Sequence, residues 1–408
     1  MAGIAQAFFS ACSLRGIGKK THCHAGKPPY PLFLIFAVCG PVNFRFFSLL
    51  LKDFMNHFSS SMKSKPLSPK ALSRPGKLAI AVTVSAAATA VWVEMQARRA
   101  ERDNPPTGCF IDVSDVHLHY VERGEGPPVV LIHGNTVTHA DFIASGLMER
   151  LARNHRVIAF DRPGFGHSSR PRDRLWTPFA QAALLRKALE CLGIKRPVVV
   201  GHSMGTMVAV AMALNYPENV RSLVLIGGYF YPSLRIDALL IAPVALPVVG
   251  DVMRYTVTAL SSRLMLRKMA QGMFAPQELP DNFFPVVSRE MMLRPVQLRA
   301  NAEDAAFMIP AARSMSSRYG ELVLPVTLIA GGDDVVVDPQ AHSVRLHDEL
   351  PHSELYVVPG VGHMAHYAAL DRVANAIDTP LHAVSLDDFT SMTKGDLTLG
   401  TEPELGRR

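Results

Sequence analysis

At 408 residues, 48% of them hydrophobic, the chain is long enough for two or three structural units and for a large buried core, which excludes global disorder. Its formal net charge of +7 is unevenly placed: residues 1–77 carry eleven Lys and Arg against one acid, Asp53, while the remainder carries 31 bases and 34 acids. The basic character therefore belongs to an N-terminal arm, where it points to membrane orientation or targeting and gives no support for nucleic-acid binding by the folded part.

Within the arm, 1–77, two apolar patches at 31–39 and 46–51 are interrupted by Pro41, Asn43 and Arg45, so neither reaches membrane length. The near absence of acids suits a transit peptide, and Met62 followed by a basic stretch reads as an alternative start. Leu78 to Val93 is then a run of sixteen uncharged, mostly apolar residues with Lys70, Arg74 and Lys77 just upstream. A span needs about 20 residues, which snorkelling Lys and Glu at the ends would supply. The expectation is a transmembrane anchor over 78–97, with Trp92 at an interface and the following domain on the non-cytoplasmic side. A signal peptide cleaved near Ala86-Ala87-Ala88 and a buried soluble helix are the alternatives. Residues 98–108, charged and then Pro-rich, read as a linker, so residues 98–408 are expected to form a soluble unit.

From Cys109 the pattern changes. Ile111 to Val113 and Val116 to Val121 alternate like an antiparallel hairpin at a sheet edge. Continuously apolar strands follow at 129–132, 156–160, 198–202 and 222–226, separated by helices over 140–153, 178–192 and from Met204 onward. Strands alternating with helices predict a mostly parallel sheet with helices on both faces, whose ligands bind at the carboxyl ends of the strands. Between 229 and 320 the rhythm breaks into several helices, with Pro243, Pro247, Pro280, Pro285, Pro295 and Pro310 as punctuation and eight of the eighteen methionines. This insertion is expected to form a helical cap, its methionines mostly filling a core and in part lining a pocket for a lipophilic substrate. The strand pattern resumes over 323–330 and 354–358, with helices over 339–349 and 367–377, so the core occupies 109–228 and 321–381 and a polar tail covers 382–408. The five cysteines, Cys12, Cys23, Cys39, Cys109 and Cys191, are scattered without Cys-x-x-Cys spacing and suggest neither a disulfide framework nor a zinc site.

The chemistry gathers at Gly201-His202-Ser203-Met204-Gly205. A serine at a sharp strand-to-helix turn has its hydroxyl lifted clear of the sheet, and glycines two residues to either side keep that turn free of collisions. Serine is a poor nucleophile until a histidine takes its proton, and the histidine needs a carboxylate to fix its tautomer. His363 follows the last strand and Asp334 the strand before it, each in the loop where such a group would be useful. Asp333 competes with Asp334 for the acid's role.

With His133-Gly134-Asn135, Asp161-Arg162-Pro163-Gly164-Phe165-Gly166, Gly331-Gly332-Asp333-Asp334 and Gly360-Val361-Gly362-His363 in this order, the chain from about Cys109 to Leu381 resembles the α/β-hydrolase fold family. It is most similar to the capped branch holding epoxide hydrolases, haloalkane dehalogenases, haloperoxidase-like esterases and carbon-carbon bond hydrolases. The resemblance implies aspartate nucleophiles in the first two, against which Ser203 argues. It implies a catalytic triad of Ser203, Asp334 and His363, with the backbone N–H groups of Asn135 and Met204 as oxyanion hole and the Asn135 side chain as an alternative pocket group. His133, Asp161 and Arg162 are expected to hold loops together, and His167, His202 and His366 to be loop or rim residues. No metal or nucleotide cofactor is implied, since no P-loop or dinucleotide fingerprint occurs. The expected activity is hydrolysis of an ester or related acyl bond of an apolar small molecule or lipid. Thioesterase, lactonase, acyltransferase and carbon-carbon hydrolase chemistry share the machinery, and a non-catalytic binding protein on the same fold is the rival outside enzymes.

Overall fold

The computed structural model describes residues 74–378, so the arm upstream of Arg74 and the polar tail at 382–408 lie outside the described residues. It opens with one long helix, α1 (Arg74–Asp103). The apolar stretch of α1 is long and hydrophobic enough to cross a membrane and is almost wholly uncovered: Leu78, Ile80, Val82 and Val84 are all more than half exposed. It is not the buried core helix that was one of the alternatives. The helix also runs through 98–103, which the sequence reading gave to the linker. Ala, Arg and Glu in this stretch are good helix formers, Arg98–Glu94 and Arg99–Asp103 pair four residues apart, and only Asn104-Pro105-Pro106 breaks the pattern.

The core is an eight-stranded sheet in the order β1-β2-β4-β3-β5-β6-β7-β8. The strands are β1 (Cys109–Val113), β2 (Val116–Arg123), β3 (Pro128–Ile132), β4 (Arg156–Phe160), β5 (Val198–His202), β6 (Ser222–Ile226), β7 (Val326–Gly331) and β8 (Ser353–Val358). β2 pairs antiparallel with β1 and β4, and every other pairing is parallel. Side chains alternate across the pleat. Val130, Ile132, Val199 and Leu225 face one layer with α4 (Pro178–Cys191) and α5 (Met204–Asn215), while Val129, Leu131, Val200 and Ile226 face α3 (Leu147–Leu151) and α14 (Leu370–Asp378). The predicted helix over 140–153 is two short ones, α2 (Ala140–Ala144) and α3, parted where Gly146 turns left-handed.

Between β6 and β7 stand α6 (Ile236–Ile241), α7 (Val249–Met253), α8 (Val257–Phe274), α9 (Phe283–Val286), α10 (Arg289–Met292) and α11 (Pro295–Ser316), with no strand among them. Pro310 is not punctuation: it lies inside α11, where Ala305, Met308, Ala311 and Ala312 are buried on either side of it and hold the helix through the missing hydrogen bond. Of the insertion's methionines, Met291, Met292, Met308 and Met315 are buried in packing, whereas Met265 and Met269 are exposed. After β7 come a π-turn at Gln340–Val344, α12 (Arg345–Glu349), β8, α13 (Ala365–Ala368) and α14.

Two further features depart from the sequence reading. Cys109 on β1 and Cys191 at the end of α4 are disulfide-bonded; far apart in sequence, they are brought together because the edge strand packs on that helix, which no spacing rule reveals. The carboxyl half of α1 is also docked on the insertion. Val93 and Ala100 are buried, Trp92, Val93, Gln96 and Ala97 line a narrow cleft with Ala259, Arg263, Glu290 and Leu293, and Arg294 on the border of α11 bonds Glu101 at 2.7 Å. Cutting before residue 98 would strip Trp92, Val93, Gln96 and Ala97 from this contact.

Candidate active site

Ser203 sits between β5 and α5 with φ 51° and ψ −119°, a left-handed conformation that a non-glycine residue rarely adopts. Its N–H donates to the Ile226 carbonyl at 2.9 Å, which pins the turn to the neighbouring strand. The tightness explains both glycines. A Cβ on Gly205 would lie 2.0 Å from the Ile132 carbonyl oxygen, and one on Gly201 2.7 Å from the Gly205 backbone.

Asp334 and His363 meet at the carboxyl ends of β7 and β8. The Asp334 Oδ1 accepts from the Val336 and Val337 N–H groups at 2.8 and 2.9 Å, leaving Oδ2 to accept from His363 Nδ1 at 2.7 Å. Both side chains are almost fully buried. With its proton on Nδ1, the imidazole keeps Nε2 bare, which is the tautomer a proton acceptor needs. Asp333 is placed otherwise: its Oδ2 accepts from the Gly360 N–H and its own N–H donates to Val361, so it ties the two loops together.

The loop 133–136 runs against the serine, since a Cβ on Gly134 would lie 3.0 Å from the Ser203 Cβ. Asn135 follows Gly134, and Met204 begins α5. The Asn135 carboxamide is turned to Arg162, whose guanidinium donates to its Oδ1 at 2.9 Å. Arg162 is wholly buried and organises the loop, donating also to the His133 and Gly134 carbonyls, to Gln181 and to Asp304 on α11. His133 Nε2 accepts from the Arg162 N–H, and burial together with Arg162 pushes the imidazole down to about 3, so it is neutral.

Two buried His/Asp groups flank this arrangement, and in each the potential ligand atoms lie within 4.8 Å of one another, so either set could gather round a small cation. Around Asp161 the carboxylate already accepts from both imidazoles, His119 and His139, and from the His139 and His167 N–H groups. Burial alone would push that carboxyl up, yet the two histidines hold it well below the usual range. Around Asp141, His366 and Tyr367 take the two oxygens at 2.9 and 2.8 Å. His202 completes that group at 3.8 Å and bonds the His363 carbonyl through Nε2, so it lies beneath the loop of His363. His202 and His366 are thus interior residues, not rim residues, and burial keeps His202 neutral.

Several contributors escape the sequence reading. Gln297, Asn301 and Asp304 lie on one face of α11 and clamp the site's loops: Gln297 Nε2 donates to the Thr136 carbonyl, Asn301 accepts from the Thr136 N–H, and Asp304 bonds Arg162 and Arg170. Their i, i+4, i+7 spacing is a polar stripe on a helix, the one signal that could have marked them. His342 in the π-turn accepts from the Phe230 and Tyr231 N–H groups at the start of the insertion. A cleft of about 530 Å³ opens beside Asp334, bounded by Ala275, Pro276, Val335 and Gln340; Ser203 and His363 do not line it.

A family model described as alpha/beta hydrolase fold matches residues 127–369. The chain belongs to the α/β-hydrolase fold family. Among curated relatives of this hydrolase, haloalkane dehalogenase 2 of Mycobacterium tuberculosis is 27% identical over 280 residues, covering 66% of this chain and 92% of the relative. A 2-hydroxymuconate semialdehyde hydrolase of Pseudomonas putida is 27% identical over 293 residues, covering 68% and 95%. Among solved structures, an esterase from Exiguobacterium antarcticum shares the fold at a TM-score of 0.52 and 20% identity, covering 66% of this hydrolase and 98% of that chain.

Proposed function

We propose that this α/β-hydrolase is a serine hydrolase that cleaves an ester or related acyl bond of an apolar substrate. The observation that carries the reading is the strained serine at the strand-to-helix turn, in a chain whose loops after β7 and β8 bring Asp334 and His363 into a 2.7 Å pair. Ser203 Oγ would attack the acyl carbon as His363 Nε2 takes its proton, and Asp334 would stabilise the imidazolium that results. The Met204 and Asn135 N–H groups would hold the oxyanion, such donors being worth about 3 kcal/mol each. His363 would then return its proton to the leaving group and activate water to release the acid. An aspartate nucleophile, as the family resemblance implies for dehalogenases, is absent at this turn, which weighs against dehalogenation. The relationship to the Pseudomonas semialdehyde hydrolase favours carbon-carbon bond hydrolysis as the second reading, on the same serine.

We also read α1 as an anchor that places the catalytic domain on the non-cytoplasmic side. Its uncovered apolar stretch, the bases upstream and the Cys109 and Cys191 disulfide, a bond of oxidising compartments, support this. The test is labelling of the detergent-solubilised full chain by a fluorophosphonate beside Ser203→Ala and His363→Ala, followed by p-nitrophenyl esters of rising chain length. Labelling of wild type alone is expected. Equal labelling of all three, or none of a folded chain, would sink the assignment.

A further inference from the structure

The uncovered apolar surface of this molecule is concentrated in two places. Among the described residues, thirteen of the large hydrophobic side chains left exposed fall within 234–269, seven on α1 between Leu78 and Met95, and only seven elsewhere. Leu234, Leu240, Val248, Val257 and Leu264 are each at least two-thirds exposed, Leu264 at 84%. A soluble monomer seldom leaves so much contiguous apolar area bare; such a patch marks a surface that meets something apolar.

The segment is continuous in space, α6 packing on the 3-10 turn after it, that turn on α7, and α7 on α8. It also adjoins the uncovered part of α1. The Arg263 guanidinium of α8 lies 5.1 Å from the Trp92 ring centroid, Ala259 and Arg263 share a cleft with Trp92 and Val93, and Tyr255 lies within electrostatic reach of Glu94 and Arg98. The two apolar surfaces therefore meet where α1 turns from bare to docked, at a tryptophan of the kind that favours a membrane interface. Charge agrees with this. Arg267 and Lys268 stand exposed on α8 beside the patch, where they suit phospholipid headgroups, while Arg235, Arg254 and Arg263 are paired with Asp237, Asp251 and Glu290.

We propose that the α6 to α8 face of the insertion lies in the interfacial layer of the bilayer that α1 enters, so that the domain is seated on lipid through a second surface and does not merely hang from its anchor. The proposal rests on the anchor reading, and the test separates them. The full chain is reconstituted into phosphatidylcholine vesicles with and without bromine on the acyl chains, as parent and as Leu240→Trp, Leu264→Trp and Val323→Trp. Val323, exposed just before β7, lies at the amino ends of the parallel strands, whereas the chain enters α6 from the carboxyl end of β6. The emission added at 240 and 264 is expected to be largely lost to brominated lipid, and that at 323 to be unchanged. A chain that floats with the vesicles but whose 240 and 264 tryptophans are quenched no more than 323 overturns the seated face and leaves the anchor. A chain that does not float overturns both.

Discussion

The parallel sheet and the helical insertion are built on opposite physical terms. The sheet holds itself by apolar strands whose side chains alternate into two cores, and the proposed catalytic groups ride on the short loops at the strand ends. The insertion is fastened to those loops through a fully buried polar stripe on α11, with Arg162, Arg170 and Gln181 converging on the Asp304 carboxylate. Apolar packing tolerates modest repacking, whereas a buried charge that loses its partner has no alternative. The insertion is therefore the part whose docking can be undone by a single atom.

The largest effect should come from removing that atom set. Asp304→Ala leaves two buried guanidiniums facing each other and should cost about 3–5 kcal/mol, with Asp304→Asn milder. Thermal unfolding measures the loss, and fluorophosphonate labelling should slow in parallel because Arg162 no longer holds the loop of Asn135. An unchanged midpoint would mean that the stripe does not fasten the insertion.

Reducing the Cys109 and Cys191 bond probes the sheet side of the comparison, where it staples the edge strand to α4. A loss of about 2–4 kcal/mol is expected. It should appear as a lower midpoint in Cys109→Ser, with labelling of Ser203 unaffected once the chain is folded.

Acid should loosen the contact between the two regions. His133 is held down to about 3 and His342 to about 4, in both chiefly by burial, and each accepts backbone N–H bonds that only a neutral imidazole can take. Their folded values lie below the ordinary 6.5, so the unfolded chain binds more protons and stability is fully present only above that pH. It should fall as pH drops from 6.5 toward 4, His133 alone accounting for on the order of 2 kcal/mol by pH 5. A midpoint flat across that range would show that neither imidazole is kept neutral.

Legibility in the sequence follows the same division. The turn at Ser203 could be read because its glycines, strand and helix are neighbours in the chain, and the loops of Asp334 and His363 because each ends an apolar run. The choice of Asp334 over Asp333 was open to reasoning from the carboxylate's role, and the structure brings Asp334 to His363. The clamp could not be read by neighbourhood, since Asp304 finds Arg162 across the whole of the intervening sheet and insertion. For the same reason the disulfide was missed. The extent of α1 was misjudged because charge was taken for linker, when Arg and Glu at helical spacing prolong a helix.

The conformation of Ser203 has a consequence for the chain's own optimum. At φ 51° the side chain is what makes the backbone costly, by about 1–2 kcal/mol, and glycine would sit there without penalty. Ser203→Gly should therefore raise the free energy of unfolding by about 1 kcal/mol while ending all labelling; no gain in stability would mean the turn is relaxed as it stands. The proposed nucleophile is then a residue that the fold, left to itself, would discard, and any search for hardier variants that does not also demand activity would be drawn to that position.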